Sequence, residues 1–111
     1  MRPIRDYPSL TIPDLEDELA SVAAVLERSL TELGRAKIAH NCDHLVKYYE
    51  CDEDTHASRT RYADYNTQTQ LADVIEFEQQ VATYRLNYET IIAFIAWRRS
   101  DLHDLEASSR L

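Results

Sequence analysis

Glycine occurs once in the 111 residues, at Gly34, and proline three times, at Pro3, Pro8 and Pro13. From Arg35 to the C-terminus there is neither. A β-sandwich or barrel depends on tight turns, and those need residues that accept positive φ or preset a bend. Asn can substitute in such turns, but only Asn66 stands in a plausible turn context. The β-rich reading fails for lack of turn chemistry, which leaves helices joined by a few polar breaks. The single glycine also excludes the glycine-rich loops that cradle phosphates, and no nucleophile motif or paired-carboxylate signature is present.

Cysteine is also sparse. Cys42 and Cys51 fall nine residues apart near one helical segment. Nine steps of about 100° put them on opposite sides of a helix, so a bridge between them would need the helix to break. They read as reduced thiols of a cytoplasmic protein, or of a virion or complex assembled in the cytoplasm. Residues 1–13 lack the apolar core of a signal peptide. The longest apolar run, Ile91 to Trp97, is far short of the roughly 20 residues of a membrane span.

Charge is one-sided. Twenty Asp and Glu against twelve Lys and Arg give a formal net charge of −8. An acidic surface repels phosphate, so direct contact with nucleic acid or an anionic membrane is disfavoured. The charged fraction of 29% beside a hydrophobic fraction of 44% is the balance of a folded, soluble domain.

What is present is helical pattern. Three prolines in the first thirteen residues block an α-helix there, so residues 1–11 read as an extended arm, with Tyr7, Leu10 and Ile12 able to dock. A single helical domain should follow over residues 12–111. Its first helix, about 12–51, starts at Thr11 as N-cap, with Pro13 and Asp14 in the first turn. Leu15, Leu19, Val22, Leu26, Leu30, Leu33 or Gly34, Ile38, Cys42, Leu45 and Tyr49 recur at steps of mostly four and trace its inward stripe. Gly34 lies in phase with that stripe, which favours close approach of a neighbouring helix over a helix end. The acidic stretch Glu50, Cys51, Asp52, Glu53, Asp54 suits the start of a following helix better than the end of this one. A short polar helix, about 55–65, carries Tyr62, Ala63 and Tyr65. Residues 66–70 then form either a break or a weak stretch of continuous helix.

The last helix, about 68–107, carries the strongest pattern. Val74, Phe77, Val81, Tyr84, Tyr88, Ile91, Ile95, Arg98, Leu102 and Leu105 alternate steps of three and four, with Arg98 the one polar member. This is a heptad stripe. At 1.5 Å per residue the helix is about 50 Å long, so only another long helix can cover it. The expected fold is all-α: long antiparallel helices in a hairpin or bundle with coiled-coil-like packing, completed by oligomerisation. Ile91 to Trp97 is apolar around the whole circumference, which calls for partners on more than one side.

Candidate chemistry is thin. His40 and His44 share a helix face, but zinc needs three or four ligands. Glu53 and His56 form one Glu-x-x-His pair, where di-iron bundles use two. Both pairs read as packing or surface residues, and no cofactor or metal is expected. Arg35 and His40 form an Arg-x4-His pair that resembles the catalytic motif of HEPN ribonucleases, all-helical proteins that act as dimers. The resemblance covers six residues, and Ala36 stands where that family usually has a polar residue. It implies an RNA substrate, which the charge of −8 opposes.

The function expected is therefore non-enzymatic: a helical assembly or adaptor protein that packs with copies of itself or with other subunits, as in a virion component, a chaperone-like adaptor or a small subunit of a larger complex. The expected partner surface is Tyr84, Tyr88, Ile91, Ile92, Phe94, Ile95, Trp97 and Arg98, rich in the residue types favoured at interfaces. The alternative is a small acidic inhibitor or immunity protein whose Glu50, Asp52, Glu53 and Asp54 would block a basic site of a nuclease or other nucleic-acid-binding protein.

Overall fold

The computed structural model describes residues 2–109, with side chains described for residues 2–102. The fold is all-α. A short 3-10 helix, η1 (Ile4–Ser9), leads into α1 (Ile12–Glu50), α2 (His56–Asn66) and α3 (Gln68–Ser109), and no strand occurs among the described residues. The long helices α1 and α3 pack against each other as a helical hairpin. Leu105 of the α3 stripe lies outside the described side chains.

Local chemistry explains the helix ends. Thr11 opens α1 as expected: its hydroxyl accepts the Asp14 amide at 3.2 Å, and its carbonyl accepts the Leu15 amide at 2.9 Å. Thr55 does the same for α2, accepting the Ser58 amide at 3.1 Å. Between α2 and α3 the break is one residue, Thr67, at φ −123° and ψ 20°. Its buried hydroxyl donates to the Ala63 carbonyl at 2.7 Å, which offers the chain an alternative to the helical ladder. The sequence reading left residues 66–70 open between a break and a continuous helix. The structure places a break at Thr67.

The N-terminal segment corrects the reading of residues 1–11 as an extended arm. Ile4–Ser9 winds into a 3-10 turn, with the Asp6 amide on the Pro3 carbonyl and the Leu10 amide on the Tyr7 carbonyl. Proline excludes the α-helix interior because it lacks an N–H and its ring meets the carbonyl four residues back. A short 3-10 segment tolerates it, since proline's fixed φ lies in the 3-10 range.

The chain divides into two compact units, Met1–Glu27 with Ala82–Leu111 and Arg28–Val81. In the first unit, Tyr7, Leu10, Leu15, Val22, Ile91 and Ile95 form one buried cluster, with Leu19, Tyr88 and Phe94 packed against it. Tyr7 is fully enclosed, its ring edge-on to Phe94 at 6.3 Å. Arg98, the polar member of the α3 stripe, donates to the Pro8 carbonyl, and Arg99 pairs with Glu16. Buried Glu18 accepts the Arg2 amide at 2.8 Å. So the N-terminal segment is pinned to both long helices by backbone groups that side chains of α1 and α3 satisfy.

The second unit is built differently. Its buried residues are Ser29, Leu33, Cys51, Ala63, Thr67, Val74 and Val81, mostly small or polar. Polar pairs tie its helices together: Lys37 to Glu78 at 3.9 Å, Gln70 to Asp43 at 2.7 Å and His44 to Asp64 at 2.7 Å. As α1 advances from Lys37 to Asp43, its partner on α3 retreats from Glu78 to Gln70, so the two run antiparallel.

Here the inward stripe expected for α1 is overturned. Leu30, Ile38, Cys42, Leu45 and Tyr49 are exposed, and the covered face of this unit instead carries Ser29, Leu33, Ala36, His40, His44 and Tyr48. The reason is rotation. Each step of four overshoots a turn by about 40°, so five such steps from Val22 to Cys42 carry the pattern about 200° around the helix. The face in contact advances by threes and fours, through polar residues that hid it. The close neighbour expected at Gly34 is also absent: a Cβ built there meets nothing within 4 Å among the described residues.

Candidate interaction surfaces

The expected partner surface on α3 splits by helical phase. Ile91 and Ile95 point into the first unit's core and are buried, so neither is open to a partner. Tyr84, Tyr88, Phe94 and Arg98 are half-buried. Ile92, Ala93, Ala96 and Trp97 are exposed, with Trp97 at 57%. The run with no wet face is thus covered along one side only. On its open side a shallow groove of about 370 Å³ is lined by Glu89, Thr90, Ala93, Phe94 and Trp97. A second groove of about 410 Å³ lies where α1 meets the same stretch, between Glu16 and Leu19 on one wall and Ile92, Ala96 and Arg99 on the other. Trp97 meets Phe94 edge-on at 6.4 Å, which positions its ring at the rim. A large rigid ring held beside an apolar groove is the type of anchor that carries binding energy at protein interfaces.

The acidic candidates sit in the connection between α1 and α2. Asp52, Glu53 and Asp54 are exposed, and Glu50 takes the Lys47 ammonium at 3.3 Å. Arg59 holds this connection from α2. Its Nε donates to the Glu53 carbonyl at 2.8 Å, a terminal nitrogen donates to the Tyr48 carbonyl at 3.3 Å, and the guanidinium lies 5.6 Å from the Tyr48 ring centroid. Arg59 thus engages backbone and a ring and leaves the three carboxylates facing solvent. Cys51 is buried at the end of α1, Cys42 is exposed on it, and both are free thiols.

The histidines serve as links between helices. His44 on α1 donates to the Asp64 carboxylate on α2, the His56 ring shares a hydrogen bond with the Tyr48 hydroxyl at 2.8 Å, and His40 lies 3.4 Å from the Thr67 hydroxyl. A groove of about 460 Å³ beside them is lined by Asn41, His44, Leu45, Tyr48, His56 and Thr60. Among the described residues no group of three or more His, Cys, Asp or Glu is placed to share a metal ion. Glu53 accepts Arg59 through its backbone carbonyl, and the His56 ring bonds the Tyr48 hydroxyl. In the Arg-x4-His pair, five residues of helix separate the side chains by about 140°. His40 faces Thr67 and Arg35 is exposed. The two lie on different faces of α1.

Comparison with known proteins yields no match: no protein family, no curated protein and no solved structure was found to resemble the chain. No helix of the described residues is long and apolar enough to cross a membrane.

Two features escaped the sequence reading. One is the full burial of Tyr7, a residue expected only to be able to dock. Burial, with the Glu18 carboxylate as a lesser cause, holds its hydroxyl above the ordinary tyrosine pKa of 10.0. The other is the exposed apolar line of α1, which the sequence pattern displayed and the steps-of-four reading assigned to the interior.

Proposed function

We propose that the chain is a non-enzymatic helical assembly or adaptor protein that packs with copies of itself or with subunits of a larger complex. The observation that carries this reading is the open apolar side of α3, where Ala93 and Trp97 line one groove and Ile92 and Ala96 line another. A contiguous apolar surface with a protruding aromatic favours contact with another protein over contact with water. The test is the native mass of the complex from its own cells, with light scattering of the purified chain at tens of micromolar. Assembly is expected, and Trp97→Glu or Ile92→Glu is expected to reduce it at unchanged helicity. A purely monomeric chain with no larger native complex would refute the reading.

A second reading, the acidic inhibitor, draws on the exposed Asp52, Glu53 and Asp54, which Arg59 leaves free. It requires that changing the three to Asn, Gln and Asn abolish binding to a basic nucleic-acid-binding partner.

A further inference from the structure

In the second unit α1 is turned inside out. It covers Ser29, Leu33, Ala36, His40 and His44, and exposes Ile38 at 65%, Leu45 at 56% and Tyr49 at 68%, with Cys42 between them. At 100° per residue, Gly34, Ile38, Cys42, Leu45 and Tyr49 fall within an arc of about 80°. From Ile38 onward they are spaced four, three and four, the seam spacing of paired helices. Gly34 continues the line. It weakens a helix by about 1 kcal/mol relative to alanine, and none of the described residues comes within 4 Å of where its Cβ would stand. Flanking Ala39, Asn41 and Val46 are uncharged and exposed. A seam of this period fits another helix running alongside.

The charges select the occupant. The seam begins beside exposed Arg35 and ends at the connection that carries the exposed carboxylates of Asp52, Glu53 and Asp54. It is basic at one end and acidic at the other, so it complements itself when reversed. Antiparallel helix pairs stack the two kinds of seam position against each other, which sets Cys42 beside the second copy's Leu45 and Ile38 beside its Tyr49. That register brings Arg35 of each copy just past the end of the other's α1 at Glu50, where the connection carries Asp52, Glu53 and Asp54. Parallel pairing would instead stack carboxylate on carboxylate and Arg35 on Arg35, in a chain already at −8. We infer that the outer face of α1 from Gly34 to Tyr49 is a two-fold, antiparallel contact with α1 of a second copy. This deepens the assembly reading above and rests on it.

The seam is about four turns long, so the pair belongs with small, micromolar-range interfaces. Sedimentation equilibrium on the full chain should show a monomer–dimer equilibrium. Leu45→Glu should weaken it at least tenfold. Leu45 is more than half exposed, so circular dichroism should be unchanged; Tyr49→Glu is the second variant if Leu45→Glu misfolds. Arg35→Glu should weaken the dimer, and Arg35→Glu with Asp52→Arg should restore part of the loss, because each changed residue then meets the other. A dimer indifferent to Leu45→Glu and Tyr49→Glu but broken by Trp97→Glu would overturn the seam and leave the assembly reading standing. Failure of the charge swap to restore would overturn the antiparallel arrangement. A monomer with no larger native complex would overturn both readings.

Discussion

Tyr7 offers a test in which the usual expectation for a conservative change is reversed. Its ring is fully buried against Phe94, yet its hydroxyl has no hydrogen-bond partner among the described residues. Replacing a buried large aromatic by alanine costs about 3–5 kcal/mol, so Tyr7→Ala should lose an amount in that range. A buried hydroxyl left without a partner carries a penalty of about 1–3 kcal/mol. Tyr7→Phe removes the penalty and keeps the ring, so it should gain about 1 kcal/mol, or about 4 °C in melting temperature. Urea unfolding followed by Trp97 fluorescence reads this directly, since Trp97 lies in the same unit and is the chain's one tryptophan. The pH dependence adds a second check. The folded-state pKa of Tyr7 is raised above 10.0. Above pH 10 the unfolded chain therefore ionises this tyrosine more readily than the folded one. The stability Tyr7 contributes is present below pH 10 and is lost as pH rises through the folded value. The advantage of Tyr7→Phe should accordingly widen above pH 10. A phenylalanine variant less stable than the parent at neutral pH would show that the hydroxyl is satisfied, and would refute the argument.

Two further outcomes follow from the helices. Gly34→Ala should raise stability by about 1 kcal/mol in urea unfolding of the monomeric Leu45→Glu background, since the helix gains alanine's propensity and the new Cβ has open space around it; a loss there would mean the site is not open. Thr55→Ala should destabilise the chain by about 1 kcal/mol through loss of the α2 cap, with hydrogen exchange rising first in the amides after His56; unchanged exchange at Ser58 would show that its bond to Thr55 contributes nothing.

The sequence alone determined the all-α class, because the lack of glycine and proline after Gly34 leaves no turn chemistry for sheets. It also determined where helices begin, since Thr11 and Thr55 cap by local bonds that involve only neighbouring residues. The heptad of α3 was legible for the same reason: its buried members, Val74, Val81, Ile91 and Ile95, are apolar and keep strict phase. Tertiary structure decided three other matters. Tyr7 enters the core because Arg98 and Glu18, distant in the chain, satisfy the backbone that brings it there. Only Ile92, Ala93, Ala96 and Trp97 of the apolar run face outward, because the packing of α1 and the N-terminal turn takes Ile91 and Ile95. And α1 turns Ile38, Leu45, Val46 and Tyr49 outward. A composition-based stripe cannot reveal that, because the covered face mixes Leu33 and Tyr48 with serine, histidine and alanine. The partners of His40 and His44, Thr67 and Asp64, become neighbours only once the helices have met.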